Sequence, residues 1–273
     1  MITEMRTELE WQERAIRILV VGCGGNGSAF VQSSLYRIHL YIKAMGHEHG
    51  LRCILADGSK VTVANTYRSS FWPQDVGHNK AELLASRMNC LGIETEFSAI
   101  ADNLSAEETI NVIRRNSIDF VITAVDVPQY RAALGASGKR LKLNRNVYWL
   151  DMGNLEIAGN VVLGHLCQKD NDSVNEGWIP NILDLYPEIK EMDVSRKPSC
   201  SAAESLKEQS LLVNQQCALL AGRLLGDYLS HPSIKHHGYF FDFETGTQVL
   251  NVNPKEWAAF GYCADKQANS AAA

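Results

Sequence analysis

Short, nearly unbroken apolar runs alternate along this chain with longer stretches of helical spacing. Ile16–Val21 (IRILVV) runs straight into glycines and reads as a strand buried on both faces. Helical spacing follows from Ser28 to Met45, and Leu51–Ala56 (LRCILA) gives a second strand. Lys80 to Cys90 reads as a helix and Glu94 to Ile100 as a third strand. Ser105-x-x-Glu108 opens the next helix as a capping box, each side chain answering an orphan amide, and that helix runs to Arg115. Ile118 to Val125 is a fourth strand, Pro128 suits a helix's first turn, and Val147 to Met152 and Asn160 to His165 are a fifth and sixth strand. Gln168 to Ser199 is polar, carries three prolines and has no sustained period. A long stretch of that kind reads as a functional loop or one ordered by a partner. Helical periodicity returns from Ser201 to Leu229. Tyr239–Phe243 and Gln248–Val252, on either side of a Glu-Thr-Gly turn, form a late antiparallel hairpin. Alternating strand and helix call for an α/β fold: a Rossmann-like, doubly wound, mostly parallel sheet with helices on both faces.

Composition narrows the function classes. With 45% apolar residues in 273, the chain builds a real core. Its formal charge of −5 speaks against nucleic-acid binding, which needs a cationic surface. No apolar run approaches the roughly 18 residues of a membrane span, and the first residues lack the apolar stretch of a signal peptide. Seven irregularly spaced cysteines make a poor disulfide framework, and without a Cys-x-x-Cys no structural zinc is expected. The expected location is cytoplasmic.

The chemistry begins where the first strand ends. Gly22, Gly24, Gly25 and Gly27 stand in Val21-Gly-Cys-Gly-Gly-Asn-Gly-Ser28, between a strand and a helix, the setting in which such a loop lets backbone approach phosphate closely. Asp57 closes the second strand, where a carboxylate accepts ribose hydroxyls. The loop alone fits a nicotinamide dinucleotide as well as ATP. The residues that follow tilt the choice. Asn65-x-x-Arg68 and then Asp75-Val76-Gly77-x-x-Lys80 add a guanidinium and an ammonium, which suit a triphosphate whose pyrophosphate must be stabilised as it leaves. Asp126, at the end of the fourth strand, has the chemistry of a Mg²⁺ ligand.

This series, Gly-x-Gly-Gly-x-Gly, Asp57, Asn65-x-x-Arg68, Asp75-x-Gly77-x-x-Lys80-Ala81 and Ala124-Val125-Asp126, resembles the ThiF/MoeB/HesA family, whose adenylation domain is shared with ubiquitin-activating enzymes. Within it the chain is similar to the ThiF-family branch of the PRTRC plasmid gene systems. The resemblance covers residues 15 to 135 and, more loosely, the region of Cys200. It implies one adenylation domain over residues 1–265, with a crossover loop at 166–199, while the small residues of the 266–273 tail read by themselves as disordered. It also implies ATP-dependent adenylation of the C-terminal carboxylate of a ubiquitin-like or sulfur-carrier protein of β-grasp fold. Gly25 and its neighbours would then line the phosphates and Asp57 hold the ribose. Asn65, Arg68 and Lys80 would grip the triphosphate, Arg68 and Lys80 catalytically, and Asp126 would bind Mg²⁺. Family members are homodimers that borrow an arginine from the mate, for which Arg6 and Arg14 are the candidates. A conjugating-enzyme-like partner also follows.

Departures mark a divergent branch: Ser59, Ser69 and Val127 stand where relatives often carry an acid, a glutamine and an asparagine. Asp75 reads as the cap of the helix at Lys80. Cys200 precedes a possible Ser201/Glu204 capping box beside Arg196 and Lys197, a setting that favours thiolate, and it is the candidate nucleophile for a thioester. Packing at a helix end is its bland alternative, and Cys217 reads as core. Two rival functions remain: an NAD(P)-dependent oxidoreductase, and a non-catalytic nucleotide-binding subunit.

Overall fold

The computed structural model describes residues 5–6, 13–92, 94–167, 178–191, 212–260 and 262. Its strands are β1 (Met5–Arg6), β2 (Ile16–Val21), β3 (Leu51–Ala56), β4 (Glu96–Ile100), β5 (Phe120–Thr123), β6 (Val147–Asn154), β7 (Ala158–Cys167), β8 (Ser233–Ile234), β9 (His236–Asp242) and β10 (Gly246–Asn251). Eight of them form one sheet in the order β10-β9-β7-β6-β5-β2-β3-β4, while β1 pairs with β8 apart from it. From β4 to β6 every pairing is parallel, and from β6 to β10 every pairing is antiparallel. The expected hairpin is therefore part of a larger antiparallel region. Its physical cause is the 155–157 connection, far too short for a parallel crossover, which folds β7 straight back along β6.

The helices are α1 (Gly25–Phe30), α2 (Tyr36–Ala44), α3 (Asn65–Arg68), α4 (Lys80–Asn89), α5 (Ala106–Asn116), α6 (Pro128–Lys139), α7 (Ile182–Leu185), α8 (Val213–Ser230) and α9 (Pro254–Ala259). On one face α8 packs against α1, α2, β6 and β7, and on the other α5 packs on α6. The helix expected after the glycines is interrupted: Val31–Leu35 is a π-turn between α1 and α2. There the Ser33 hydroxyl donates to Ala29 O (2.6 Å) and the Ser34 hydroxyl to Ala218 O of α8 (3.1 Å). Side-chain bonds of this kind compete with the regular ladder.

Part of the segment read as a loop is core. Asn181 caps α7 by accepting from Leu183 N and Asp184 N and donates to His165 O (2.8 Å), while Ile179, Ile182 and Leu185 are buried. Gly164 permits this close approach, since a Cβ there would lie 2.4 Å from Asn181 Cα. Residues 168–177 and 192–211, Cys200 and its capping box among them, and the 266–273 tail lie outside the described residues. No described helix is long and apolar enough to cross a membrane.

The antiparallel half buries two histidines. His165 Nδ1 accepts from Ile179 N (3.1 Å), and its ring stacks on Trp178 and touches Tyr148. His237 Nδ1 donates to Leu163 O (2.7 Å), and its Nε2 accepts from Trp257 Nε1 (2.9 Å). Burial is the leading cause that pulls His165 down to about 3 and His237 to about 4. Both rings are neutral in the folded chain.

Candidate nucleotide site

Strand β2 is flanked by β3 on one side and β5 on the other, so the loops leaving their carboxyl ends diverge and open a crevice. The glycine loop fills its mouth. Gly22 has φ +92°, and a Cβ there would meet Ala124 O at 2.6 Å, so only glycine lets the loop pass under the exit of β5. A Cβ on Gly27 would lie 1.9 Å from Gly22 O, so α1 sits directly on the loop. Gly25 is pressed against the side chain of Asn214, which in turn donates to Arg68 O (3.0 Å). Gly24 has open space where a Cβ would point and offers no side-chain cap to the helix. The first amides of α1 are thus left for an anion.

Asp57 does more than the sequence suggested. Its two carboxylate oxygens accept from Cys23 N and Ser59 N, both at 2.7 Å, so it locks the glycine loop to the end of β3. Each oxygen retains a lone pair with which to accept a ribose hydroxyl. The neighbouring Cys23 thiol is pushed well up by burial and further by Asp57, with Lys80 opposing both. This thiol is therefore inert, and Lys80 stands within electrostatic reach of the loop.

Asn65 and Arg68 lie on the single turn of α3, where Asn65 Oδ1 accepts from both Thr62 N and Thr62 Oγ1. That leaves the Asn65 amide nitrogen as the end available to a ligand. Lys80 opens α4, and the cap of this helix is Asn79, which accepts from Glu82 N (3.0 Å) and donates to Asp57 O (2.8 Å). Asp75 accordingly does not cap α4. It accepts from Trp72 N and pairs with Arg87, whose guanidinium stacks 4.0 Å from the Trp72 ring centroid. The closer asparagine wins because its side chain, one residue before Lys80, reaches the third amide of the helix.

Asp126 is exposed, three residues beyond β5, and lines a cleft of about 540 Å³ on the far side of the loop. Two residues that sequence reasoning missed build the cleft's floor. Arg131, on α6, donates to Asp151 Oδ1 (2.7 Å) and Met152 O (3.1 Å), and Asp151 also receives the Thr123 hydroxyl (2.5 Å). Arg131 lies on the helix that Asp126 precedes, but nothing in the sequence joins it to Asp151, 20 positions away on another element. Asn26 links loop and cleft by donating to Asn154 Oδ1 (2.8 Å), and its own Oδ1 is buried without a partner.

Two remaining candidates stand apart. Arg14 makes a bidentate pair with Asp119 (2.6 and 2.8 Å) at the amino edge of the sheet, opposite the glycine loop. Arg6 is placed only through the backbone pairing of β1 with β8. Cys217 is buried against Gly153 O, its thiol pushed up to about 12 by burial and Asp151, in agreement with its reading as core.

The chemistry of this donor set, open amides at the loop with Arg68, Lys80 and the exposed carboxylate of Asp126, fits a nucleoside triphosphate. Among the described residues no three His, Cys, Asp or Glu side chains gather to hold a metal alone, so a divalent ion there would draw most of its ligands from phosphate and water.

The fold is Rossmann-like, with the glycine loop at the point where the order of the parallel strands reverses. The chain belongs to the ThiF family, whose model matches residues 3–255. It is similar to ubiquitin-like modifier-activating enzyme 5 of Aedes aegypti, at 24% identity over 93% of this chain and 61% of that protein. A protein of the same name from Culex quinquefasciatus is 30% identical over 57% of this chain and 37% of its own length. The chain thus spans about three fifths or less of these curated relatives. Among solved structures, PaaA superposes with a TM-score of 0.58 at 14% identity, over 89% of this chain and 66% of PaaA. E. coli MccB, solved with ATP, superposes at 0.55 and 17% identity, over 89% of this chain and 65% of MccB. These two likenesses establish the fold.

Proposed function

We propose that the chain is an adenylating enzyme that binds ATP on the glycine loop and activates the C-terminal carboxylate of a small ubiquitin-like or sulfur-carrier protein. One observation carries the reading: in a ThiF-family chain, Arg68 ends one short helix and Lys80 begins the next, and both points are tied to the glycine loop, the first through Asn214 and the second through Asn79 and Asp57. The acceptor carboxylate attacks the α-phosphorus, the bond from that phosphorus to the bridging oxygen breaks, and pyrophosphate leaves. Arg68 and Lys80 take up the charge that gathers on the leaving group. Magnesium held by Asp126 would supply further charge neutralisation across the phosphates. The acyl adenylate then passes its acyl group to the Cys200 thiolate, AMP departs, and a conjugating-enzyme-like partner receives the acyl group from the thioester. A homodimer is part of the same proposal.

The test is magnesium-dependent ATP binding by calorimetry, followed by carrier-dependent exchange of labelled pyrophosphate into ATP. Lys80→Ala and Asp126→Ala should each lower exchange by at least about a hundredfold, the scale of losing one preorganised charge contact. Cys200→Ala should leave exchange intact and abolish only a thiol-labile adduct. Unchanged exchange in Lys80→Ala contradicts the assignment, and binding of NADH in place of ATP would favour an oxidoreductase.

A further inference from the structure

The cleft beside Asp126 is apolar on the side away from the glycine loop. Tyr186 and Phe240 meet edge to face with centroids 5.8 Å apart, and Phe260 completes a three-ring cluster at 5.4 Å from Tyr186 and 5.7 Å from Phe240. Ile189, on the turn Pro187–Glu191, extends this wall. Tyr186, Ile189 and Phe240 are each only partly buried, so they present apolar surface to the cleft. Among the described residues, the charged groups lining it are Asp126, Glu188 and the Arg131–Asp151 pair. Because Arg131 and Asp151 already satisfy one another and magnesium would take Asp126, Glu188 is the exposed charge left facing the cleft.

Resting on the adenylation reading, which brings the acceptor's C-terminal tail to this edge of the sheet, we propose that Tyr186, Ile189 and Phe240 select a bulky apolar side chain among the tail's last few residues. Asp126 lies between the glycine loop and the cleft, so a carboxylate reaching the α-phosphate enters from the cleft with its preceding residues inside it. A volume of about 540 Å³ exceeds what a bare glycine backbone fills, and glycines alone would leave the aromatic wall wet. An acidic side chain at the same place would face Glu188, and among the described residues the one cation lining the cleft, Arg131, is already paired with Asp151. An apolar side chain gains the burial that the three residues offer.

The probe is a set of short fluorescein-labelled peptides ending in Gly-Gly with a free carboxylate, bearing Leu, Ser or Glu at the third residue from the end. Their binding is read by fluorescence anisotropy with the full chain, magnesium and a non-hydrolysable ATP analogue. The Leu peptide should bind at least about tenfold more tightly than the Ser peptide, with Glu weakest. Phe240→Ser and Ile189→Ser should erase the difference, whereas Phe240→Leu should keep it. Equal affinities or no peptide binding, with magnesium-dependent ATP binding intact, overturn the selection and leave the adenylation reading standing. A self-association lost in Phe240→Ser while peptide affinities stay unchanged assigns the cleft to a second copy and also overturns it. Absence of ATP binding takes both readings down.

Discussion

Acidification from pH 7 to pH 5 should destabilise this chain through two particular side chains. His165 and His237 each use a ring nitrogen as a buried acceptor, toward Ile179 N and Trp257 Nε1 respectively. A proton on either nitrogen sets donor against donor and places a charge in the core. In the unfolded chain both titrate near 6.5, whereas folding lowers them to about 3 and about 4. Between those limits the unfolded state binds more protons, so stability is complete above pH 6.5 and falls as pH falls. At pH 5 each residue has crossed one and a half units at about 1.4 kcal/mol per unit, and together they remove about 4 kcal/mol. That is a large share of the about 5–15 kcal/mol typical of a folded domain. The half-buried His236, also lowered chiefly by burial, acts in the same direction. Asp75 does not confound the window. Burial raises its carboxyl, but Arg87 and the Trp72 amide outweigh this and hold it below the ordinary carboxylate value, so its contribution is lost only at lower pH. Urea unfolding at pH 7, 6 and 5 measures the effect: the midpoint should fall at unchanged slope, and His237→Gln should roughly halve the fall. A midpoint that stays constant from pH 7 to pH 5 would refute the reasoning.

Other changes probe the site and its supports. Arg131→Ala leaves the Asp151 carboxylate buried with only the Thr123 hydroxyl, and should cost about 3–5 kcal/mol in urea unfolding. Gly27→Ala drives a methyl into Gly22 O and should cost about 1–3 kcal/mol, with a larger proportional loss of ATP affinity by calorimetry. Asn79→Ala removes the α4 cap and its bond to Asp57 O, and should lower stability by about 1–2 kcal/mol while weakening ATP binding through the displaced Lys80.

What was legible in the chain follows the range of the interactions. β2 and β3 occupy the very residues of their apolar runs, because strands buried on both faces carry few polar positions, here only Arg17 and Arg52. The Ser105/Glu108 box appears as expected, since everything it needs lies within four residues. β5 is shorter than the apolar run Ile118–Val125, because Asp119 spends its carboxylate on Arg14 and the Arg17 amide before the strand begins. The π-turn after α1 is braced in part by Ala218, 184 positions from Ser34, and α7 by contact with β7. At the site, the loop glycines and Asp57 were readable as a local strand-turn-helix pattern. The Arg131–Asp151 pair and the Asn26–Asn154 link were not, because only the closed sheet brings those partners together.

The division of the sheet into a parallel and an antiparallel half also separates two kinds of heritable change. The glycine loop takes its walls from residues 16 to 126, with Asn214 as a late addition, whereas the aromatic wall of the cleft comes from Tyr186, Ile189, Phe240 and Phe260. Substitutions in the last strands and the final helix therefore revise what enters the cleft while leaving the turn under Gly22 as it is. If the cleft receives the acceptor as proposed, a lineage built on this plan reaches new acceptors by editing its carboxyl-terminal third.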